Sequence, residues 1–121
     1  MQERRRYTRF PTEGKVVLKL KDGSARTIQS ELVDINFAGM SVHSPQTSEA
    51  GIDVSFDLTI NLWDQPIAGD GRIKYVKEIQ RHNTVFRLGI EFVSVDKKII
   101  RYIINRIQGE IAAEARKRKS F

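Results

Sequence analysis

The chain has no cysteine, two histidines and a single tryptophan in 121 residues. Without cysteine it can form no disulfide and do no thiolate chemistry. His43 and His82 are isolated, with no carboxylate at ligand spacing, so no metal site is expected. No apolar run approaches the roughly 18 residues of a membrane span. The amino terminus opens on arginines and lacks the apolar stretch of a secretory signal, which leads to the expectation of a cytoplasmic location. Neither a Ser/His/Asp arrangement nor a phosphate-binding loop is recognisable, so catalysis is not expected.

What is there is globular composition, 40% hydrophobic and 30% charged, enough for one domain with one core. The net charge of +6 is concentrated at the two ends. Residues 1–9 hold four arginines against Glu3, and residues 114–119 hold Arg116, Lys117, Arg118 and Lys119 against Glu114. Each end is therefore +3, and the 13 basic and 13 acidic residues between them cancel. A neutral body with two basic ends lacks the basic face of a duplex-binding domain.

Residues 1–12 read as an exposed arm, ending at Phe10-Pro11, where proline disfavours regular structure. Alternation over Lys15–Lys21, with Val16, Leu18 and Leu20 on one side, predicts a strand. Asp22-Gly23 predicts a type I′ hairpin, and a returning strand is expected over about Ala25 to Val33. Short strands follow at Met40–His43 and, with unbroken alternation, at Val54–Leu62. Ile67–Ile79 returns, with Gly69 and Gly71 as bulge signals, and Phe86–Phe92 alternates again after a His82-Asn83 turn. About six strands at this spacing fit a small all-β barrel or sandwich. The period then changes. Ile100, Ile103, Ile104, Ile107 and Ile111 mark one face of a helix from about Asp96 to Lys117, with Asp96 as N-cap. Part of this stripe is a candidate dimer interface. Gly109 should cost the helix about 1 kcal/mol relative to alanine and is a candidate bend or end. Trp63 and the phenylalanines read as core or strand-end packing.

Two segments carry the chemistry. Arg4-Arg5-Arg6-Tyr7-Thr8-Arg9 concentrates guanidinium forks, and Asp34-Ile35-Asn36-Phe37-Ala38-Gly39 reads as a tight turn. Arginine can bond a phosphate or the O6/N7 edge of guanine bidentately and can stack on a base. A carboxylate can accept from guanine N–H groups, which arginine cannot do.

In order and spacing the two segments resemble the PilZ domain family of bacterial cyclic di-GMP receptors. That family carries an RxxxR motif followed downstream by a (D/N)xSxxG turn. Arg5 and Arg9 match the first, with Arg4 extending it; Asp34 and Gly39 match the second, and Asn36 stands where the family usually has serine. The resemblance runs from about Glu3 to Phe92 and includes the Gly89-Ile90-Glu91-Phe92 segment.

It implies a mainly β fold: a six-stranded antiparallel β-barrel over 14–93, a mobile arginine arm over 1–12 and a C-terminal α-helix over 96–117, all one domain. It also implies a non-catalytic receptor needing no cofactor, with cyclic di-GMP as ligand and an unidentified downstream protein as partner. Arg5 and Arg9 would be the principal contacts and Arg4 a second layer. Asp34 and Asn36 would bond the ligand, and Gly39 would permit an unusual backbone conformation or close ligand approach. Tyr7 is the aromatic expected to meet the ligand. The arm would order as its arginines engage. The alternatives are a degenerate PilZ adaptor that binds protein and no nucleotide, and a barrel for single-stranded nucleic acid. Monomer and homodimer through the C-terminal helix both remain open.

Overall fold

The computed structural model describes residues 8–80, 82 and 84–118. Seven strands run β1 (Phe10–Pro11), β2 (Lys15–Leu20), β3 (Thr27–Ile35), β4 (Gly39–Ser44), β5 (Asp53–Thr59), β6 (Ile67–Gln80) and β7 (Val85–Ser94). A helix, α1 (Lys97–Arg118), follows. The sheet order is β1-β3-β2-β5-β6-β7-β4, and β4 also pairs with β3. That last pairing closes β2–β7 into a six-stranded antiparallel barrel, with β1 as a short addition at one edge.

Alternation builds the interior. Val16, Leu18 and Leu20 of β2 face inward with Val54, Phe56 and Leu58 of β5 and with Ile73, Leu88 and Ile90 of β6 and β7. Ile100, Ile103, Ile104 and Ile107 bring α1 into the same cluster. At about 1.5–3 kcal/mol for each fully buried side chain, these four isoleucines suffice to dock the helix. Asp96 caps it, its carboxylate accepting from the N–H groups of Lys98 (3.0 Å) and Ile99 (3.4 Å).

Several boundaries differ from those expected. Phe10–Pro11 forms a two-residue strand against Ile35 and Asp34, not an irregular arm end. Proline is tolerated there because β1 lies at an edge. The Asp22-Gly23 connection is not a two-residue hairpin but an open loop between β2 and β3, with Gly23 at φ 86° and Ala25 at φ 55°. The Asp22 carboxylate accepts from the Ser24 N–H and hydroxyl, which holds its carboxyl below the usual range. The strand expected to end at Val33 runs on through Asp34 and Ile35, while β5 stops at Thr59, short of Leu62. Gly109 does not end α1, which runs on to Arg118. Ile111, expected on the packed stripe, is 53% exposed.

No helix among the described residues is long and apolar enough to cross a membrane.

Candidate ligand-binding site

The site is built by two departures from strand regularity. Ile28, Ser30 and Leu32 of β3 alternate inward, and one more step of two would carry Asp34 into the core. The β3–β4 register shifts between Leu32 and Asp34, so Val33 is the extra residue of a bulge. Beyond it Asp34 pairs with Ser41, and Ile35 takes the inward position opposite Met40. The same device recurs on β6. Ile73 pairs with Ile90, the register shifts past Lys74, and Tyr75 pairs with Gly89.

One cross-strand row results: Pro11, Asp34, Ser41, Gly89 and Tyr75, on β1, β3, β4, β7 and β6 in turn. Its middle members are small, and the row forms a trough. A cleft of about 270 Å³ lies over it, walled by Arg9, Asp34, Asn36, Lys74, Tyr75 and Glu91, with Gly39 and Ser41 also lining it. A Cβ at Gly89 would stand 1.9 Å from the Tyr75 ring, so the ring rests directly on this glycine.

Asp34 is 7% exposed and held from two sides. Its Oδ1 accepts from the Ser41 hydroxyl at 2.8 Å and its Oδ2 from Arg87 Nη2 at 2.8 Å; the same Nη2 reaches Ser41 Oγ at 3.1 Å. The Arg87 Nε is buried and has no hydrogen-bond partner among the described residues. The carboxylate is thus fixed in orientation while part of its acceptor capacity stays unused.

Asn36 organises the following turn. Its Oδ1 accepts from the N–H groups of Ala38 (2.7 Å) and Gly39 (2.8 Å), and its own N–H donates to the Gly39 carbonyl at 2.8 Å. This is an Asx turn, the structure that a serine hydroxyl makes more weakly. The side-chain carbonyl is therefore committed within the protein. Gly39 shows no positive φ; a Cβ there would lie 2.1 Å from the Ile90 carbonyl oxygen. Its need for glycine is the close approach of β4 to β7. Lys97 Nζ donates to the Phe37 carbonyl at 3.0 Å, tying the turn to the start of α1.

Of the six residues anticipated for the site, the structure brings Arg9, Asp34, Asn36 and Gly39 to one cleft. Arg4 and Arg5, like Tyr7, lie outside the described residues. Sequence reasoning missed Arg87, Ser41, Lys74 and Tyr75. Their signal is the outward set of the paired strands, readable only once the register is known.

The PilZ domain family model matches residues 3–109. The chain belongs to this family. This PilZ domain is similar in structure to "PilZ domain with c-di-GMP of YcgR from Escherichia coli", with a TM-score of 0.74 at 21% identity, covering 95% of this chain and 99% of that one. It is also similar to the Bacillus subtilis inhibitor of motility (MotI/DgrA), at 0.71 and 10% identity, covering 93% and 53%. For YcgR of Escherichia coli in complex with c-di-GMP the values are 0.69 and 23%, covering 97% and 50%. The chain spans about half the length of these last two. At these identities the likenesses show the fold. No curated protein sequence matches the chain.

Proposed function

We propose that this PilZ domain is a non-catalytic receptor for cyclic di-GMP, acting in the cytoplasm on a downstream protein. The observation that carries the reading is the meeting of Arg9, just ahead of β1, and Asp34 on β3 at one cleft, although they belong to different motifs. A guanidinium and a carboxylate lining one cleft supply a phosphate partner and a guanine N–H acceptor. Asp34 retains lone pairs for this beyond those used by Ser41 and Arg87. Tyr75 adds a ring on which a base can stack, and Lys74 a second cation.

A cleft of about 270 Å³ is small for a whole cyclic dinucleotide. It suits one base with its phosphate, and the arm bearing Arg4 and Arg5 would close over the remainder. Ligand-induced ordering of that arm is the signal in this reading.

Calorimetric titration with cyclic di-GMP, using GTP and cyclic GMP as controls, tests it. Saturable binding selective for the dinucleotide is expected, and Arg9→Ala should weaken it at least tenfold with an unchanged melting midpoint of the free protein. One observation favours the adaptor reading instead: Asp34 and the Asn36 side-chain carbonyl already have partners within the protein. No heat at high micromolar ligand would select that reading.

A further inference from the structure

The last turns of α1 stand clear of the barrel. From Gln108 to Lys117 every residue except Ala113 is exposed, and a Cβ on Gly109 would meet nothing within 4 Å. A helical segment this short is marginal alone, since isolated helices need about 12–15 residues even in favourable sequences. Gly109 at its root weakens it further. Yet Ile111 continues the isoleucine stripe at 53% exposure.

Beside it runs a groove between helix and barrel end. Apolar Pro11, Ile60, Leu62, Ile107 and Ile111 line it together with Thr12, Asn61 and three carboxylates, Glu13, Glu110 and Glu114. The complement of a groove lined by apolar residues and carboxylates is an amphipathic, basic segment. This chain carries one, because the residues after Ala115 read Arg-Lys-Arg-Lys.

We propose that the groove receives the basic helix tip of a second copy, so that two chains exchange tips in an antiparallel, two-fold dimer. The acidic half of the segment, Glu110 and Glu114, then faces the partner copy's basic half. A parallel pair would set like charges together. Two-fold symmetry makes each chain both donor and receiver, which closes the assembly at two. The apolar contact is short, so the dimer is reversible and weakened by salt. This inference is independent of the nucleotide reading, since it uses none of the cleft residues.

Sedimentation velocity of the full chain, up to about 1 mM protein at low and high salt, provides the test. A monomer–dimer equilibrium that salt shifts toward monomer is expected. Ile111→Asp should raise the dissociation constant at least tenfold with an unchanged circular dichroism spectrum. Glu110→Lys/Glu114→Lys and Lys117→Glu/Arg118→Glu should each be monomeric alone, and an equimolar mixture of the two should restore a heterodimer. A wild-type monomer throughout the range overturns the proposal, and would be the result if the chain's own arginine arm filled the groove. A dimer indifferent to Ile111→Asp, or no rescue on mixing, also overturns it.

Discussion

Replacing Arg87 with methionine keeps most of the aliphatic stem and removes the guanidinium that holds Asp34. The loss can be bracketed. Breaking a fully buried ion pair from one side costs about 3–5 kcal/mol, whereas exposed pairs contribute about 0–1 kcal/mol. The Arg87–Asp34 pair lies between these limits, its side chains 29% and 11% exposed at an N–O distance of 2.8 Å. Arg87→Met should therefore destabilise the free protein by about 2 kcal/mol, roughly 8 °C in melting midpoint for a domain of this size. Asp34→Asn should cost less, because an amide still accepts from Ser41. In the double variant the losses should fall short of additivity by about 1–2 kcal/mol. Urea unfolding of all four proteins, followed by circular dichroism, measures this. A loss under about 0.5 kcal/mol for Arg87→Met, or strict additivity, would refute the argument by showing that the pair behaves as an ordinary surface contact.

Gly39→Ala should destabilise by about 3 kcal/mol or more, or prevent folding, because the new methyl meets the backbone of Ile90; a thermal midpoint near wild type would mean that β4 and β7 separate easily. Asn36→Ala should cost about 1–2 kcal/mol by leaving the Ala38 and Gly39 N–H groups without their acceptor. Asn36→Ser should recover much of that stability and bind cyclic di-GMP as well or better, and a severe binding loss in calorimetry would count against the turn's proposed role. The Lys21 hydrogen bond and charge hold the Asp70 carboxyl below its ordinary 3.8. The unfolded chain thus binds that proton more readily, and the pair's contribution, present above 3.8, is lost as pH falls through the folded value. The difference in urea midpoint between wild type and Lys21→Met should accordingly be visible at neutral pH and close on acidification; a gap that persists in acid would point to packing.

The six barrel strands, the helix and the barrel's inward alternation were legible because burial imposes a period that sequence displays. Loop widths were less so. Asp22-Gly23 has hairpin composition, but the β2–β3 ladder ends at Lys19 and Thr27, so the connection is longer than two residues. The motif residues were visible as types, and Arg9, Asp34, Asn36 and Gly39 do meet. Their physical roles were not. Asn36 commits its side-chain carbonyl to the nearby N–H groups of Ala38 and Gly39, and Gly39 serves the strand approach to Ile90, a partner distant in sequence. Arg87 was invisible for the same reason, since it stands 53 residues from Asp34. One trace of the bulge was present: inward residues step by two through Ile28, Ser30 and Leu32, then by three to Ile35.

That irregular step has a consequence for how such a site can be lost. Core and ligand face are written along the same strands in two reading frames, and single inserted residues, Val33 and Lys74, mark where one frame gives way to the other. Deleting Val33 would join Leu32 to Asp34 in unbroken alternation, removing the bulge while leaving Asp34 outward opposite Ser41 and Ile35 inward opposite Met40. The fold instead holds the outward row directly, since Asp34 and Ser41 are tied to Arg87 and the Tyr75 ring rests on Gly89. A lineage that abandons the ligand is therefore expected to keep Asp34, Ser41 and Gly89 for the fold's sake and to change the cleft wall first, at Arg9 and Lys74.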